Sequence, residues 1–340
     1  MKTLIVTAVD PQGPPQGERL RLENIVRGSM VLGPTDVWIP VPILNPVAQM
    51  RELWKAGSPY MVRRLYSKAD EPCDRYDIVI SFQLRMAPYA LACQGAVHVL
   101  ELTDSLGLFR EKLQTFGKGL LRQAMLWRIE ALEVKWAQRF TEAWVSGWQD
   151  QEWLAHRGVL SVLVPNAVRE KILLPPGDAR ELLFVANLSY LPNRLGIQRF
   201  LRQVWPTLAR EGLTLHVAGS GTETIRGEGV VAHGFVKDLR ALYERVGICI
   251  SPVELGTGTQ NKILEALGYG RPVVTVPQAY SALYPAVRRG VASAATPSEW
   301  VREVRALQER GVYLRQRQKG FDAVDINGYP VSRRLRQLRG

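Results

Sequence analysis

Between residues 182 and 307 short apolar runs alternate with amphipathic segments, and this alternation leaves few folds open. Leu182–Leu188, Leu213–Ala218, Val230–Val236, Ile248–Val253 and Val273–Val276 read as buried strands, short and apolar throughout. Between them, Asn193–Glu211 places Ile197, Phe200, Leu201, Val204 and Leu208 on one helical face. Asp238 is suited to cap a helix over Leu239–Val246, and a helix from about Gln260 to Leu267 is stopped by Gly268 and Gly270. Thr296, Pro297 and Glu299 spell a capping box at the start of a further helix through Leu307. Strands alternating with helices predict a parallel, doubly wound sheet. Ligands on such sheets sit at the carboxyl ends of the strands, where Ser189, Gly219 and Gly256 all fall.

The first half repeats the theme more loosely. Lys2–Ala8 reads as a strand, Asp10–Gly17 as a Pro/Gly loop and Glu18–Met30 as a helix. Asp36–Val41, Tyr76–Ser81, Val97–Leu102, Ala143–Ser146 and Ser161–Val164 are further strands. From Leu108 to Phe140 the sequence reads as one long helical region. Leu121, Met125, Ile129, Leu132, Trp136 and Phe140 make its apolar stripe, and its lysines and arginines outnumber Glu111, Glu130 and Glu133. Two readings stand: an apolar stripe facing the core, or a basic amphipathic helix on an anionic membrane. A length of 340 residues allows two domains, expected as 1–164 and 181–325 with a linker at 165–180. The tail, 326–340, is basic and expected to pack back on the first domain or fray.

Composition argues against large-scale disorder: 46% of residues are hydrophobic and 22% charged. Cys73, Cys93 and Cys249 show no metal-ligand spacing and read as buried thiols of a reducing compartment. With neither a signal peptide nor an apolar span, a cytoplasmic protein is expected, with the inner face of the membrane as a second location. The net charge of +12 asks for an anionic partner (nucleotide, membrane surface or nucleic acid) or reflects a generally basic surface.

The most informative stretch is 251–276. A strand runs into Gly256, Thr257, Gly258 and Thr259, where glycine lets backbone approach a ligand, and then into a helix N-terminus. Free N–H groups and the positive dipole end make such a place an anion site. Lys262, in the first turn, adds a full charge where a diphosphate would lie. Glu265, three residues on, is placed to accept hydrogen bonds from ribose hydroxyls. On these residues alone, a nucleotide diphosphate site and an ordinary tight crossover are about equally supported.

The order of motifs resembles glycosyltransferase family four, the retaining enzymes with two facing Rossmann-like domains and a cleft between them, the GT-B fold. The resemblance is carried by Leu183–Asn193, Val204–Pro206, Leu215–Gly221, His233–Leu239, Gly256–Ala266 and Gly270–Val274, in the family's order. Pro14–Arg21, Glu130–Ser146 and Val164–Val168 are similar to the first domain's glycine loop, helix–strand pair and interdomain segment. The resemblance implies that Glu265 binds the ribose, and that the Gly256–Thr259 loop and Lys262 hold the diphosphate. Phe235 and Val236 would lie near the base, and Glu254 would touch the donor sugar. Gly17, Asn193 and Gly219 would join the donor site, Arg194 would assist Lys262, and Asp104 would be an acceptor-side group. The sequence departs from the pattern in several places. Glu254 and Glu265 stand further apart than the family's seven-residue glutamate pair, and Asn187 stands where an arginine is usual. Ala167 replaces a glycine, and Thr103 stands where a histidine often precedes Asp104.

The expected activity is transfer of a sugar from a nucleotide diphosphate sugar to a glycan or lipid-linked acceptor, with retention. No cofactor and no metal are expected: the sequence has no Asp-x-Asp motif, and His98, His156, His216 and His233 lack ligand spacing. A transferase acting on a modified base in DNA, a nucleotide-sugar epimerase and a non-catalytic relative of this fold remain as alternatives. A dinucleotide oxidoreductase fits poorly, since neither Gly17 nor Gly256 lies in a Gly-x-Gly-x-x-Gly context.

Overall fold

The computed structural model describes residues 1–10, 17–43, 60, 65–66, 72, 74–115, 127–254, 260–326 and 328–338. The chain forms two units, Met1–Asn166 with Asn327–Gly340, and Ala167–Ile326. Each is an α/β layer structure around one six-stranded sheet.

In the first unit the strands are β1 (Thr3–Val6), β2 (Thr35–Trp38), β5 (Tyr76–Phe82), β6 (Gly95–Thr103), β7 (Glu142–Val145) and β8 (Ser161–Leu163). They lie in the order β2-β1-β5-β6-β7-β8, every neighbouring pair parallel. A small antiparallel pair, β3 (Pro42–Ile43) and β4 (Leu65–Tyr66), stands apart. Successive residues of a strand point to opposite faces, and here both faces are covered. Leu4, Val6, Val79, Leu100, Ala143 and Val145 enter one apolar cluster. Ile5, Ile78, Ile80, Phe82, Val99 and Trp144 enter another. The helix Gly17–Met30 follows β1 and contributes Leu22 and Ile25 to the second cluster. The basic C-terminal segment is a helix, Tyr329–Gln337, whose Val331 and Leu335 join the same cluster, while Arg334 pairs with buried Glu142.

One buried ion pair crosses this unit. Arg21 donates to both oxygens of Glu101, at 3.1 and 2.7 Å, and its remaining nitrogen reaches Pro165 O and Asn166 Oδ1. Asn24, one turn on, accepts from Gly328 N at 2.6 Å. One helix face therefore holds both points where the chain leaves and re-enters the unit.

The long 108–140 helix is not continuous. A helix spans Leu106–Thr115, and the helix Ile129–Ala137 begins just after Arg128, which takes a left-handed backbone, φ 56°. Residues 116–126, with Leu121 and Met125 of the expected stripe, lie outside the described residues. Glu133 is no surface charge either. It is fully buried, accepting from Ser105 Oγ, Leu106 N and Gly107 N at 2.7, 2.8 and 3.0 Å. It thus satisfies the open donors at the start of the Leu106–Thr115 helix. Burial raises its carboxyl to about 7.

The second unit orders its strands β11-β10-β9-β12-β13-β14, all parallel. These are β9 (Asp178–Val185), β10 (Thr214–Ala218), β11 (Val230–Gly234), β12 (Val246–Ser251), β13 (Val273–Thr275) and β14 (Val291–Ser293). β12 is buried along its whole length. The expected helix over Asn193–Glu211 is two, Leu191–Gln203 and Trp205–Arg210, since Pro206 lacks the N–H that a continuous helix would need. Phe200 packs edge-on against Trp300 at 5.1 Å, which fastens the first of them to the capping-box helix Pro297–Ala306. The helix after β11 starts at Arg240 with Leu239 as N-cap, and Asp238 accepts from Arg240 N at 2.9 Å.

Among the described residues no helix is long and apolar enough to cross a membrane. Cys93 and Cys249 are buried, and Cys73 lies outside the described residues.

Candidate functional site

The strand order of the second unit reverses between β9 and β12, so the crevice at their carboxyl ends is where a ligand is expected. Two helices begin there: Leu191–Gln203 after β9 and Asn261–Gly268 after β12. The ends are drawn close by glycine. A Cβ at Gly196 would stand 2.3 Å from Pro252 O, and one at Gly219 would stand 2.1 Å from Ala186 O. Gly219 also has φ +123°, a backbone that side chains rarely adopt.

Lys262 is the centre of the site. Its Nζ donates to Asn193 Oδ1 at 2.7 Å and lies 4.9 Å from the centre of the Phe184 ring. Asn193 is buried and turns its amide nitrogen to Asn187 O at 2.9 Å, which fixes the oxygen toward the lysine. Desolvation lowers the Lys262 ammonium to about 7. The helix that carries it has Gln260 as N-cap and no side-chain cap. Gln260 instead accepts from Ser251 Oγ and donates to Val253 O, tying the end of β12 to the start of the helix.

Glu265, on the same helix, is half-buried. Desolvation raises its carboxyl, and a hydrogen bond from the Tyr243 phenol opposes that. Tyr243 stacks on Tyr269 at 4.7 Å, and Tyr269 donates to Glu170 at 3.0 Å. The carboxylate is thus oriented by a buried aromatic wall.

The remaining expected residues are dispersed. Arg194 donates to Leu188 O at 3.3 Å, and Glu254 is ion-paired with Arg199. Phe235 is 70% exposed at the end of β11, whereas the neighbouring Val236 packs on the core. Leu255–Thr259, including Gly256, Thr257, Gly258 and Thr259, lie outside the described residues. In the first unit Gly17 is the first residue of its helix. Asp104 follows β6 and accepts from Ser146 Oγ at 3.1 Å. Thr103 beside it has φ 66°, strain of about 1–3 kcal/mol for a β-branched residue held at a strand end.

Sequence reasoning missed Tyr243, Tyr269 and the Phe184 face under Lys262. A tyrosine late in a short helix and a phenylalanine in a buried strand carry no signal of a site. It also missed a pair of histidines in contact: His216 Nδ1 lies 2.9 Å from His233 Nε2, and His216 Nε2 lies 3.1 Å from Glu181. Burial pushes both imidazoles down, and Arg245 neutralises Glu181. Among the described residues no group of three His, Cys, Asp or Glu side chains is arranged to hold a metal.

Residues 179–310 match the sequence model of the family described as Glycosyl transferases group 1. The matched residues fall within the second unit. No curated protein sequence matches the chain. In fold the chain is similar to sucrose-phosphate synthase from Thermosynechococcus elongatus, with TM-score 0.70 and 14% identity over 99% of this chain and 98% of that one. It is similar to HepE of Anabaena in complex with UDP, with TM-score 0.62 and 14% identity over 100% and 99% of the two chains. A glycosyltransferase from Rickettsia africae gives TM-score 0.62 at 9% identity over 99% and 97%. Two parallel six-stranded sheets with flanking helices, in the company of these structures, make this the two-domain α/β fold of the GT-B glycosyltransferases.

Proposed function

We propose that the chain is a glycosyltransferase that takes its sugar from a nucleoside diphosphate sugar. Lys262 carries this reading: a desolvated lysine on the first turn of a helix without a side-chain cap, at the switch point of the sheet. As the glycosidic bond to the donor breaks, negative charge grows on the leaving diphosphate. A cation and backbone dipoles fixed beforehand in a low-dielectric site stabilise that charge more than water would. Burial disfavours the ammonium in the free protein, and a bound diphosphate would restore it. Glu265 is the acceptor for the ribose hydroxyls, aimed by Tyr243. Arg194 joins the diphosphate by releasing Leu188 O, and Glu254 reaches the sugar by releasing Arg199.

Retention of configuration, a glycan or lipid-linked acceptor, and Asp104 as the group nearest that acceptor follow from the family resemblance. The match to the group 1 model supports the transferase class, and HepE, a neighbour in fold, is a UDP complex. A nucleotide-sugar epimerase is the competing activity. Donor incubated alone must remain unconverted, and NMR of the anomeric proton after adding acceptor must show the donor's own configuration. Conversion of donor to an epimer without acceptor would replace the transferase reading.

A further inference from the structure

A second cationic site lies on the first unit, among elements that the donor chemistry does not use. A groove of about 640 Å³ is lined by Arg110, Arg128, Lys135 and Arg157, with Glu130 as its carboxylate. That volume is in the range of small-molecule sites, about 300–1,000 Å³. Arg157 is neutralised within the groove. It bonds Glu130 and Glu111 at 2.8 Å each, donates to Trp153 O at 3.2 Å, and lies 3.8 Å from the centre of the Trp153 ring. Arg110, Arg128 and Lys135 form no ion pair among the described residues, so the groove keeps a positive excess.

Two of these cations stand where the fold alone would not place them. Arg110 has its Nε buried without a hydrogen-bond partner among the described residues, a costly arrangement for a charged group. Arg128 occupies the N-cap of the Ile129–Ala137 helix in left-handed backbone. A full positive charge there opposes the positive end of the helix dipole, and the helix has no side-chain cap. Trp127, 55% exposed, supports the Arg128 guanidinium at 5.3 Å. An anion in the groove would relieve both arrangements at once. Guanidinium groups match the oxygens of a phosphate, and a dianion suits three cations that have no ion pair among the described residues.

We propose that this groove binds a phosphate-bearing group, a phosphomonoester or diphosphate, separate from the donor site on the second unit. The ligand's source is a free phosphorylated molecule or a phospholipid headgroup, and the recognition chemistry is the same for both. The proposal does not depend on the transferase reading.

The test uses the full chain carrying Lys262→Met, so that the donor site is silent, and calorimetric titration with inorganic pyrophosphate. Saturable binding is expected, weakened roughly tenfold or more when Arg128→Gly and Lys135→Gln are added. Glycine adopts φ 56° freely, so Arg128→Gly removes the charge while easing the backbone, and its melting temperature is expected to hold or rise. Absence of saturable binding, or binding indifferent to both substitutions, overturns the proposal. Flotation with phosphatidylcholine vesicles, with and without phosphatidylglycerol, then separates the sources. Flotation that requires phosphatidylglycerol and is lost in the same variants assigns a headgroup, and pyrophosphate binding without flotation assigns a free phosphate.

Discussion

Lys262 and Asn193 meet at 2.7 Å, each from the first turn of a helix that follows one of the two central strands. The bond holds the ammonium at the switch point of the sheet, and Asn187 O holds the amide in the orientation that accepts it. Asn193→Ala is expected to cost about 1 kcal/mol of stability, the net worth of an ordinary hydrogen bond, and to raise the donor KM. Asn193→Asp is the more telling variant. A carboxylate beside the ammonium competes with the diphosphate, so nucleotide affinity should fall further than in the alanine variant while the fold persists.

Protonation of Lys262 couples nucleotide binding to pH. Its pKa in the folded chain is about 7, below the ordinary 10.5. Above pH 7 the free protein has lost a proton that the bound diphosphate calls back. Binding should therefore take up a proton, and affinity should fall with pH by up to about tenfold per unit over that window. Calorimetry in two buffers of different ionisation enthalpy measures the uptake directly, and Lys262→Met should abolish it.

Folding stability should show two opposed slopes. Glu133 has a folded pKa near 7, raised from 4.5, so the native state holds its proton longer than the unfolded chain. Its contribution is fully present below pH 4.5 and is lost as pH rises through 7. Lys262 acts in the next window. Below pH 7 the native state bears the cost of the buried charge, and between 7 and 10.5 stability rises because only the unfolded chain still binds the proton. Each slope is at most about 1.4 kcal/mol per pH unit. Denaturant midpoints across pH, with Glu133→Gln and Lys262→Met removing one slope each, check both.

The alternation of apolar runs and amphipathic segments was enough to read five of the six strands of the second unit's sheet, because parallel strands buried on both faces leave continuous apolar runs such as Val246–Ser251; the three-residue edge strand Val291–Ser293 is too short to leave one. The capping box at Thr296 was legible for a local reason: Thr296 and Glu299 satisfy each other's backbone donors without help from distant residues. Breaks in helices were less legible. Pro206 marks one, but Leu208 continues the apolar period across it. The left-handed Arg128 has no sequence sign at all, since arginine does not favour that backbone. Lys262 and Asn193 could each be named from motif order, but their contact joins residues 69 positions apart. Glu265 could be named in the same way, but Tyr243, which hydrogen-bonds it, carries no sequence signal. Residue type shows chemical capacity, and only the fold shows which partner orients it.

Glu101 and Arg21 form the buried ion pair of the first unit. Glu101→Leu leaves the Arg21 charge uncompensated inside the protein and should cost about 3–5 kcal/mol. Replacing both, Arg21→Met with Glu101→Leu, should recover most of that loss. Urea unfolding of the two variants gives the comparison.

The most direct test of the donor site is a thermal-shift series with UDP, GDP, ADP and UDP-glucose on the wild-type chain and on Lys262→Met. A ligand that binds only the folded state must stabilise it, by about 2.7 kcal/mol when present at a hundred times its dissociation constant. At least one nucleotide is expected to raise the wild-type melting temperature while leaving Lys262→Met unmoved. Shifts of equal size in both proteins, or no shift in the wild type with any of the four, would contradict the account.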